Sequence, residues 1–307
     1  MSTVEVPAAG TAASAGTAPD PGVAADRERA IARAPRVGGG VWRLLGSELG
    51  LTFRRPRNLV MLAVLAAVPV VIGVVLAMLG TDEVANDMIV MVAGNGLALA
   101  FVSLYVLVPL LLPLTVGVVA GDAVAGEASM GTLRYLLTAP AGRTRLLAVK
   151  YVNAAVYGLA ATAVVAVSAL ITGLVLFPVG PVTLLSGSTI PLSEGLLRIL
   201  VVVGYVAAGM AALAALALAF STLTEAPIGA IAATAVILIV SQVLSAIPQL
   251  APLDPYLLTS WLTDFDGVLR DPVNTGTMVQ GLVVFLCYAV VFGSIAWARF
   301  GGRDVTA

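Results

Sequence analysis

The chain has 307 residues, of which 60% are hydrophobic and 11% are charged, and its formal net charge is −1. Its mean hydropathy of +1.04 indicates an integral membrane protein with several spans. The sequence contains no His and one Cys, which excludes His-based triads, His/Cys metal clusters and an intrachain disulfide. The near-neutral charge gives no support to nucleic-acid binding.

The N-terminal region divides into a polar tail and an amphipathic segment. Residues 1–40 are rich in Ala, Gly, Pro and Thr and show no apolar periodicity, so we predict a disordered cytoplasmic tail there and a transmembrane domain over 41–307. Next, Val41 to Phe53 places large apolar residues at helical spacing before the arginines around Pro56. This pattern predicts an N-terminal helix at the membrane interface, although a basic anchor that only fixes topology explains the same residues.

Six apolar runs are long enough to cross a bilayer as helices, which requires roughly 20 residues. None of the runs alternates in polarity, so they do not match the pattern of strands in a transmembrane β-barrel. We therefore predict an all-α integral membrane protein with six transmembrane helices. The predicted spans are about 59–79, 97–120, 151–177, 196–220, 228–247 and 280–298.

Basic residues orient the spans. Of the sixteen Lys and Arg residues, fourteen fall on one predicted side, and only Arg198 and Arg270 fall on the other. Because cytoplasmic loops retain positive charge, both termini are predicted to be cytoplasmic. Arg198 lies near the outer boundary of the fourth run, where we expect it to extend its side chain to the lipid headgroups as an anchor.

The six runs contain no acidic residue, whereas ion-coupled carriers usually place ionisable groups inside the membrane. An ion-driven carrier is therefore poorly supported, and any energy for transport is expected to enter from outside the membrane domain. The chain also lacks a phosphate-binding loop, because its one lysine, Lys150, is followed by Tyr151 and not by Ser or Thr. We predict that this polypeptide does not hydrolyse ATP by itself.

Three residues inside the runs are candidates for a pathway or a hinge. Pro109 and Pro113 lie one helical turn apart in the second run, where each removes a backbone hydrogen bond and a kink is expected. Gln242, beside Ser241, is the most polar site of the fifth run. Helix packing explains the prolines, and an interhelical hydrogen bond explains Gln242, without any role in transport.

The connection between the second and third runs carries the most informative pattern. Glu127 precedes a stretch in which Met130, Leu133 and Leu137 recur at helical spacing until Pro140 interrupts it. The pattern predicts a short surface helix, in a loop that has an acidic beginning and a basic end at Arg143, Arg145 and Lys150. An ordinary interfacial hairpin, with its arginines serving only topology, explains the residues as well.

The same connection resembles the hallmark loop of type-2 ABC transporter permeases. The shared pattern consists of Glu127, Gly131-Thr132-Leu133, Leu136-Leu137, Pro140, Arg143 and Lys150. The resemblance covers about Val41 to Asp304, including the entry helix, the six spans and a closing Phe300-Gly301-Gly302-Arg303-Asp304. At Gly302 this chain departs from the family, which often has a basic residue there.

The resemblance implies a function. Two permease chains, as a homodimer or with a second permease subunit, would pair with two separate ABC ATPase subunits, which bind the ATP and push on a cytoplasmic coupling helix between spans 2 and 3. The residues implied in that loop are Glu127, Met130, Gly131, Thr132, Leu133, Arg134, Leu137, Pro140 and Arg143.

The expected protein is thus a multi-pass permease in a prokaryotic plasma membrane, in contact with membrane lipid and without a cofactor of its own. The family usually moves its substrate outward, and an apolar pathway suits a hydrophobic or amphipathic one. A membrane scaffold or assembly factor that binds a partner without transport is the alternative.

Overall fold

The computed structural model describes residues 40–79, 95–131, 142–180, 182–183, 188–271 and 273–302. These residues are mostly helical, and six of their helices are long and apolar enough to cross a membrane. The prediction of an all-α, multi-pass membrane protein is confirmed at this level. The predictions for the tail over 1–39, the 132–141 part of the loop and the closing segment after 302 concern residues outside the described ranges.

The helices are α1 (Gly40–Arg54), α2 (Pro56–Leu79), α3 (Ala98–Leu107), α4 (Leu111–Ser129), α5 (Arg143–Leu176), α6 (Leu192–Leu223), α7 (Pro227–Ser245), α8 (Leu258–Trp261) and α9 (Gly276–Gly301). The candidate spans are α2, α4, α5, α6, α7 and α9. Two 3₁₀ helices, Pro248–Tyr256 and Asp266–Leu269, flank α8. Two short strands, β1 (Val182–Thr183) and β2 (Thr189–Ile190), pair antiparallel between α5 and α6, with Val182 opposite Ile190.

The second span differs from its prediction. The run at 97–120 is not one helix, because it is interrupted at 108–110, and the helix that follows continues to Ser129. Proline chemistry accounts for the interruption: Pro109 and Pro113 have no N–H to donate, and their rings crowd the preceding turn. The third span also differs, since α5 begins at Arg143, about two turns before the predicted start at 151.

α6 forms the centre of the bundle. In its most apolar stretch 67% of the residues are buried, compared with 17% in α2 and in α9. α6 packs against α4, α5, α7 and α9, and α2 packs on α5. The outer helices expose continuous Val, Leu and Ile faces, including Val71, Ile239 and Val283, which suits helices that contact lipid.

The two ends of the bundle differ in charge. We call the end that carries Arg54, Arg57, Arg143 and Arg299 the basic end, and the end that carries Glu194 and the 248–271 segment the acidic end. The C-terminus of α1 and the start of α5 meet at the basic end, and the Arg143 guanidinium donates to the Gly301 carbonyl there at 3.0 Å. Residues 40–54 and the end of α9 therefore lie at the same end.

At the acidic end, α3 begins where two backbones touch. A Cβ added to Gly96 would collide with the Gly173 carbonyl of α5, and a Cβ on Gly173 would collide with the Gly96 carbonyl. The Gly96 N–H donates to the Pro178 carbonyl at 3.1 Å, and the Asn95 side-chain amide donates to the Gly180 carbonyl at 2.7 Å. These contacts fix the start of α3 against the end of α5.

The expectation for Arg198 was wrong. Its side chain is 8% exposed and does not reach outward, because it pairs with Glu194 at 2.6 Å and donates to the carbonyls of Val268 and Arg270 at 2.6 and 3.0 Å. A buried guanidinium is tolerated when its donors are satisfied in this way. Arg198 therefore holds the end of the 248–271 segment on α6, and that segment packs its buried Phe265 against the bundle.

Candidate functional site at the basic end

A polar cluster lies where α1, α2, α4 and α5 meet at the basic end. α1 ends at Arg54 because Pro56 disfavours a helical conformation at Arg55, and Pro56 then occupies the first turn of α2, where its missing N–H costs nothing. This turn brings Arg55 and Arg57 beside Asp122 of α4. The cluster surrounds a small cavity of about 60 Å³.

Lys150 is the centre of the cluster. Its side chain is 2% exposed, and its Nζ lies 2.5 Å from Glu127 Oε1 and 3.7 Å from Glu48 Oε2. Each glutamate side chain is 17% exposed. Since a buried ammonium is costly unless it is paired, the two carboxylates are what allow the one lysine of the chain to lie at this position. The three residues join α1, α4 and α5.

A second ion-pair group lies beside the first. Arg55 Nη1 and Arg57 Nη2 both donate to Asp122 Oδ2, at 2.9 and 2.8 Å. The arginine side chains are about half exposed, whereas Asp122 is 14% exposed. This group links the α1–α2 turn to α4, one turn from Gly126, where an added Cβ would meet the Asp122 carboxylate at 2.5 Å. A larger residue at position 126 would therefore crowd the Asp122 carboxylate of the same helix.

Buried amides complete the cluster. The Asn58 side-chain N–H donates to the Thr52 carbonyl, and the Asn153 side-chain N–H donates to the Thr52 hydroxyl, both at 2.8 Å. The side-chain oxygens of both asparagines are buried without a protein partner, and both residues line the cavity. A polar cavity of this size holds water, which can satisfy these oxygens.

The composition of the cluster limits its chemistry. It contains carboxylates, cations, amides and a hydroxyl, and the described part of the chain has no group of His, Cys, Asp and Glu residues that could hold a metal. The arrangement is suited to transmitting movement, because an inward or outward shift of any one of its four helices must break or move a charged contact with another. The cluster therefore couples the positions of the four helices.

Residues of the cluster lie on both sides of the loop between α4 and α5, which carries the permease-like sequence pattern. Two residues after the end of α4, Gly131 lies in the left-handed region with φ +68°. A second such glycine, Gly142 with φ +73°, directly precedes α5. Both positions favour glycine because other residues are strained there. Glu127 precedes the loop and Lys150 follows it, so their ion pair closes its base.

The predicted loop residues are only partly described. Glu127 lies in the cluster, Met130 is 63% exposed, and Arg143 reaches across to the Gly301 carbonyl at the end of α9. Gly131 forms the turn that ends α4. The remaining predicted residues, Thr132, Leu133, Arg134, Leu137 and Pro140, lie outside the described ranges.

One protein family matches most of the chain. A family described as a protein of unknown function, DUF2705, matches residues 66–306 of the chain. The chain belongs to this family. No curated protein matches the chain. The match includes Asp122, Glu127 and Lys150, and it begins inside α2, so Glu48 and Arg55 lie outside the region that relates the chain to DUF2705 proteins.

Sequence reasoning missed most of the cluster. Glu48 and Asp122 were not candidates, and Lys150 entered only through the loop pattern and the search for a phosphate-binding loop. The argument that the spans are free of acidic residues depended on a second span that ends at 120. α4 continues through Asp122 and Glu127, so this argument does not hold for this chain. One signal was present: a single lysine between apolar residues, at helical spacing from Asn153.

The pathway or hinge candidates come together at one point. The Gln242 side-chain amide donates to the Pro109 carbonyl at 3.1 Å. In an unbroken helix that carbonyl would accept the N–H of residue 113, but Pro113 has no N–H. Gln242 of α7 therefore supplies the donor that the second proline removes. This contact is the interhelical hydrogen bond that explained Gln242 without a pathway.

Proposed function

We propose that this chain is the membrane-spanning permease subunit of an ABC exporter, which moves a hydrophobic or amphipathic substrate outward with energy from ATP hydrolysed by a separate subunit. In this proposal the basic end is cytoplasmic, as the positive-inside rule favours. Two copies, or this chain and a second permease, form the membrane unit in a prokaryotic plasma membrane. The loop between α4 and α5 receives the ATPase.

One observation carries the proposal: Lys150 bridges Glu127 and Glu48, so the base of the loop is tied to α1 by charge. A force applied to the loop would reach α1, α4 and α5 together through contacts between buried or nearly buried groups. An interfacial hairpin that serves only topology does not require a buried lysine at its base. The loop pattern from Glu127 to Lys150 supports the same assignment.

The proposal is tested by affinity purification of the tagged chain from its native membranes in mild detergent, followed by mass spectrometry and ATPase assays. We expect a P-loop ATPase to co-purify with the chain. Glu127→Gln should lower ATP hydrolysis or substrate export while the amount of chain in the membrane stays near that of wild type. Glu225→Gln is the matched control, because Glu225 is exposed at the same end, in the turn between α6 and α7.

Two results would overturn the proposal. If repeated preparations contain other stable partners but no ATPase, the chain is a scaffold or assembly factor and the loop pattern is coincidental. If Glu127→Gln lowers membrane insertion as much as ATP hydrolysis, Glu127 has a structural role only.

An ion-driven carrier is a second candidate, favoured by the finding that Asp122 and Glu127 lie inside the candidate span α4. Such a carrier would move substrate in liposomes that contain this chain alone, driven by an imposed proton or sodium gradient. The ABC proposal predicts no transport in that experiment until the ATPase and ATP are added.

A further inference from the structure

A second cavity lies at the basic end, separate from the polar cluster. It has a volume of about 300 Å³ and is formed by α5, α6 and α9. Every lining residue except Thr144 is aliphatic, aromatic or glycine. Val290 and Trp297 on its rim are 58% and 57% exposed, so the cavity opens as a cleft on the lateral surface of the bundle.

The cleft runs along the helices. On α9 it extends from Ala289 to Trp297, and on α5 from Tyr151 to Thr144, which at 1.5 Å per residue is a length of about 10–12 Å. The hydrocarbon core of one leaflet is about 15 Å thick. The cleft therefore matches the upper part of one acyl chain.

The mouth of the cleft is aromatic, and arginines flank its lining residues in the sequence. The Trp297 indole N–H donates to the Thr144 hydroxyl at 3.2 Å across this end, as an interfacial Trp commonly does. Within four sequence positions of the lining residues Thr144, Leu218 and Trp297 there are three arginines, Arg143, Arg145 and Arg299, and no acidic residue.

We propose that this cleft binds one anionic phospholipid of the surrounding leaflet, with an acyl chain between α5, α6 and α9 and its phosphate headgroup beside the arginines. These arginines select the anionic headgroup, since basic residues near a membrane surface attract anionic lipids. A second copy of the chain is a poorer fit. A stable protein interface buries about 800 Å² of accessible surface on each partner, whereas this cleft has room only for a narrow chain.

Native mass spectrometry of the delipidated chain in detergent tests the proposal. The chain is titrated with phosphatidylglycerol or phosphatidylcholine that carry identical acyl chains. Gly293→Leu is the blocking variant, because a side chain at this lining position enters open space and fills the cleft. Gly204→Leu is the matched control, since Gly204 also faces open space but does not line the cleft.

We expect wild type to bind one phosphatidylglycerol more tightly than phosphatidylcholine. Gly293→Leu should abolish this tight site, and Gly204→Leu should retain it. Arg145→Gln and Arg299→Gln, at exposed positions, should each lower the preference for phosphatidylglycerol by about fivefold, the equivalent of 1 kcal/mol. Equal binding of the two lipids by wild type, or equal binding by the two leucine variants, would overturn the proposal. So would a change of oligomeric mass in Gly293→Leu alone, which would make the cleft a protein interface.

Discussion

Removal of the Lys150 charge is the sharpest test of the polar cluster. The Nζ atom lies 2.5 Å from Glu127 and 3.7 Å from Glu48, and the lysine side chain is 2% exposed. In Lys150→Gln the two carboxylates lose their shared cation and face each other across the cavity. The variant keeps a polar side chain of similar length, so its effect reports the charge more than the packing.

The expected loss can be estimated from the burial of the groups. Removing one partner of a buried ion pair costs about 3–5 kcal/mol, because the other charge is left unpaired. Each glutamate remains 17% exposed and retains some hydration, so we expect the lower end, about 3 kcal/mol. This is a large share of a total stability of about 5–15 kcal/mol.

The measurement is reversible unfolding in mixed micelles of dodecyl maltoside and dodecyl sulfate, followed by circular dichroism. Arg145→Gln is the control for removal of a positive charge at an exposed position of the same helix, and it should change the free energy of unfolding by less than about 0.5 kcal/mol. A double-mutant cycle with Glu127→Gln isolates the pair. We expect the double variant to lose about 1–3 kcal/mol less than the sum of the single losses.

The reasoning fails if Lys150→Gln costs less than about 1 kcal/mol, which is the range of an exposed pair. It also fails if the two substitutions are additive within about 0.5 kcal/mol, because contacting residues of one network should couple. In either case the cluster would not tie the loop to α1. The proposal that a force on the loop reaches α1 through this cluster would then lose its support.

Three further predictions concern the other contacts. Gln242→Leu leaves the Pro109 carbonyl without its donor and should lower the free energy of unfolding by about 1–3 kcal/mol in the same micelle assay. Gly173→Ala forces two backbones apart and should cost about 1–3 kcal/mol, whereas Gly204→Ala should be neutral or stabilising. Burial, followed by a neighbouring carboxylate, raises the pKa of Asp264 above its ordinary value, so Asp264→Asn should raise the thermal stability at neutral pH.

The sign of the Asp264 effect follows from linkage. A raised pKa in the folded state means that folding favours the protonated form, so the contribution of this residue should become more favourable as the pH falls through the raised pKa. In Asp264→Asn that part of the pH dependence should disappear, which thermal melts at several pH values would detect. A variant that melts at a lower temperature than wild type at neutral pH would contradict the prediction.

Each of the other two substitutions also has a control. Val243→Leu, next to Gln242 and 54% exposed, should leave the stability unchanged. If it lowers the stability as much as Gln242→Leu, the hydrogen bond to Pro109 is not the cause. For the glycine pair, an equal effect of Gly173→Ala and Gly204→Ala would mean that the backbone contact with Gly96 yields without cost.

The sequence by itself determined the class of the protein and the number of its spans. A bilayer requires long apolar helices, and this requirement is met residue by residue along the chain without reference to distant contacts. The amphipathic entry segment and the break near Pro109 were likewise local, because helical periodicity and the missing proline N–H act within one or two turns. The predicted helix at 41–53 corresponds to α1 for this reason.

Only the tertiary structure decided which polar groups meet. Lys150 and Glu48 are about a hundred positions apart, and Arg57 and Asp122 are 65 positions apart, so no local pattern encodes these contacts. The same holds for Arg198. Its position near a span boundary indicated a headgroup anchor, but its guanidinium donates to carbonyls of the 248–271 segment. The pairing of buried charges is a property of how helices pack, since the desolvation cost must be met by whichever partners the fold supplies.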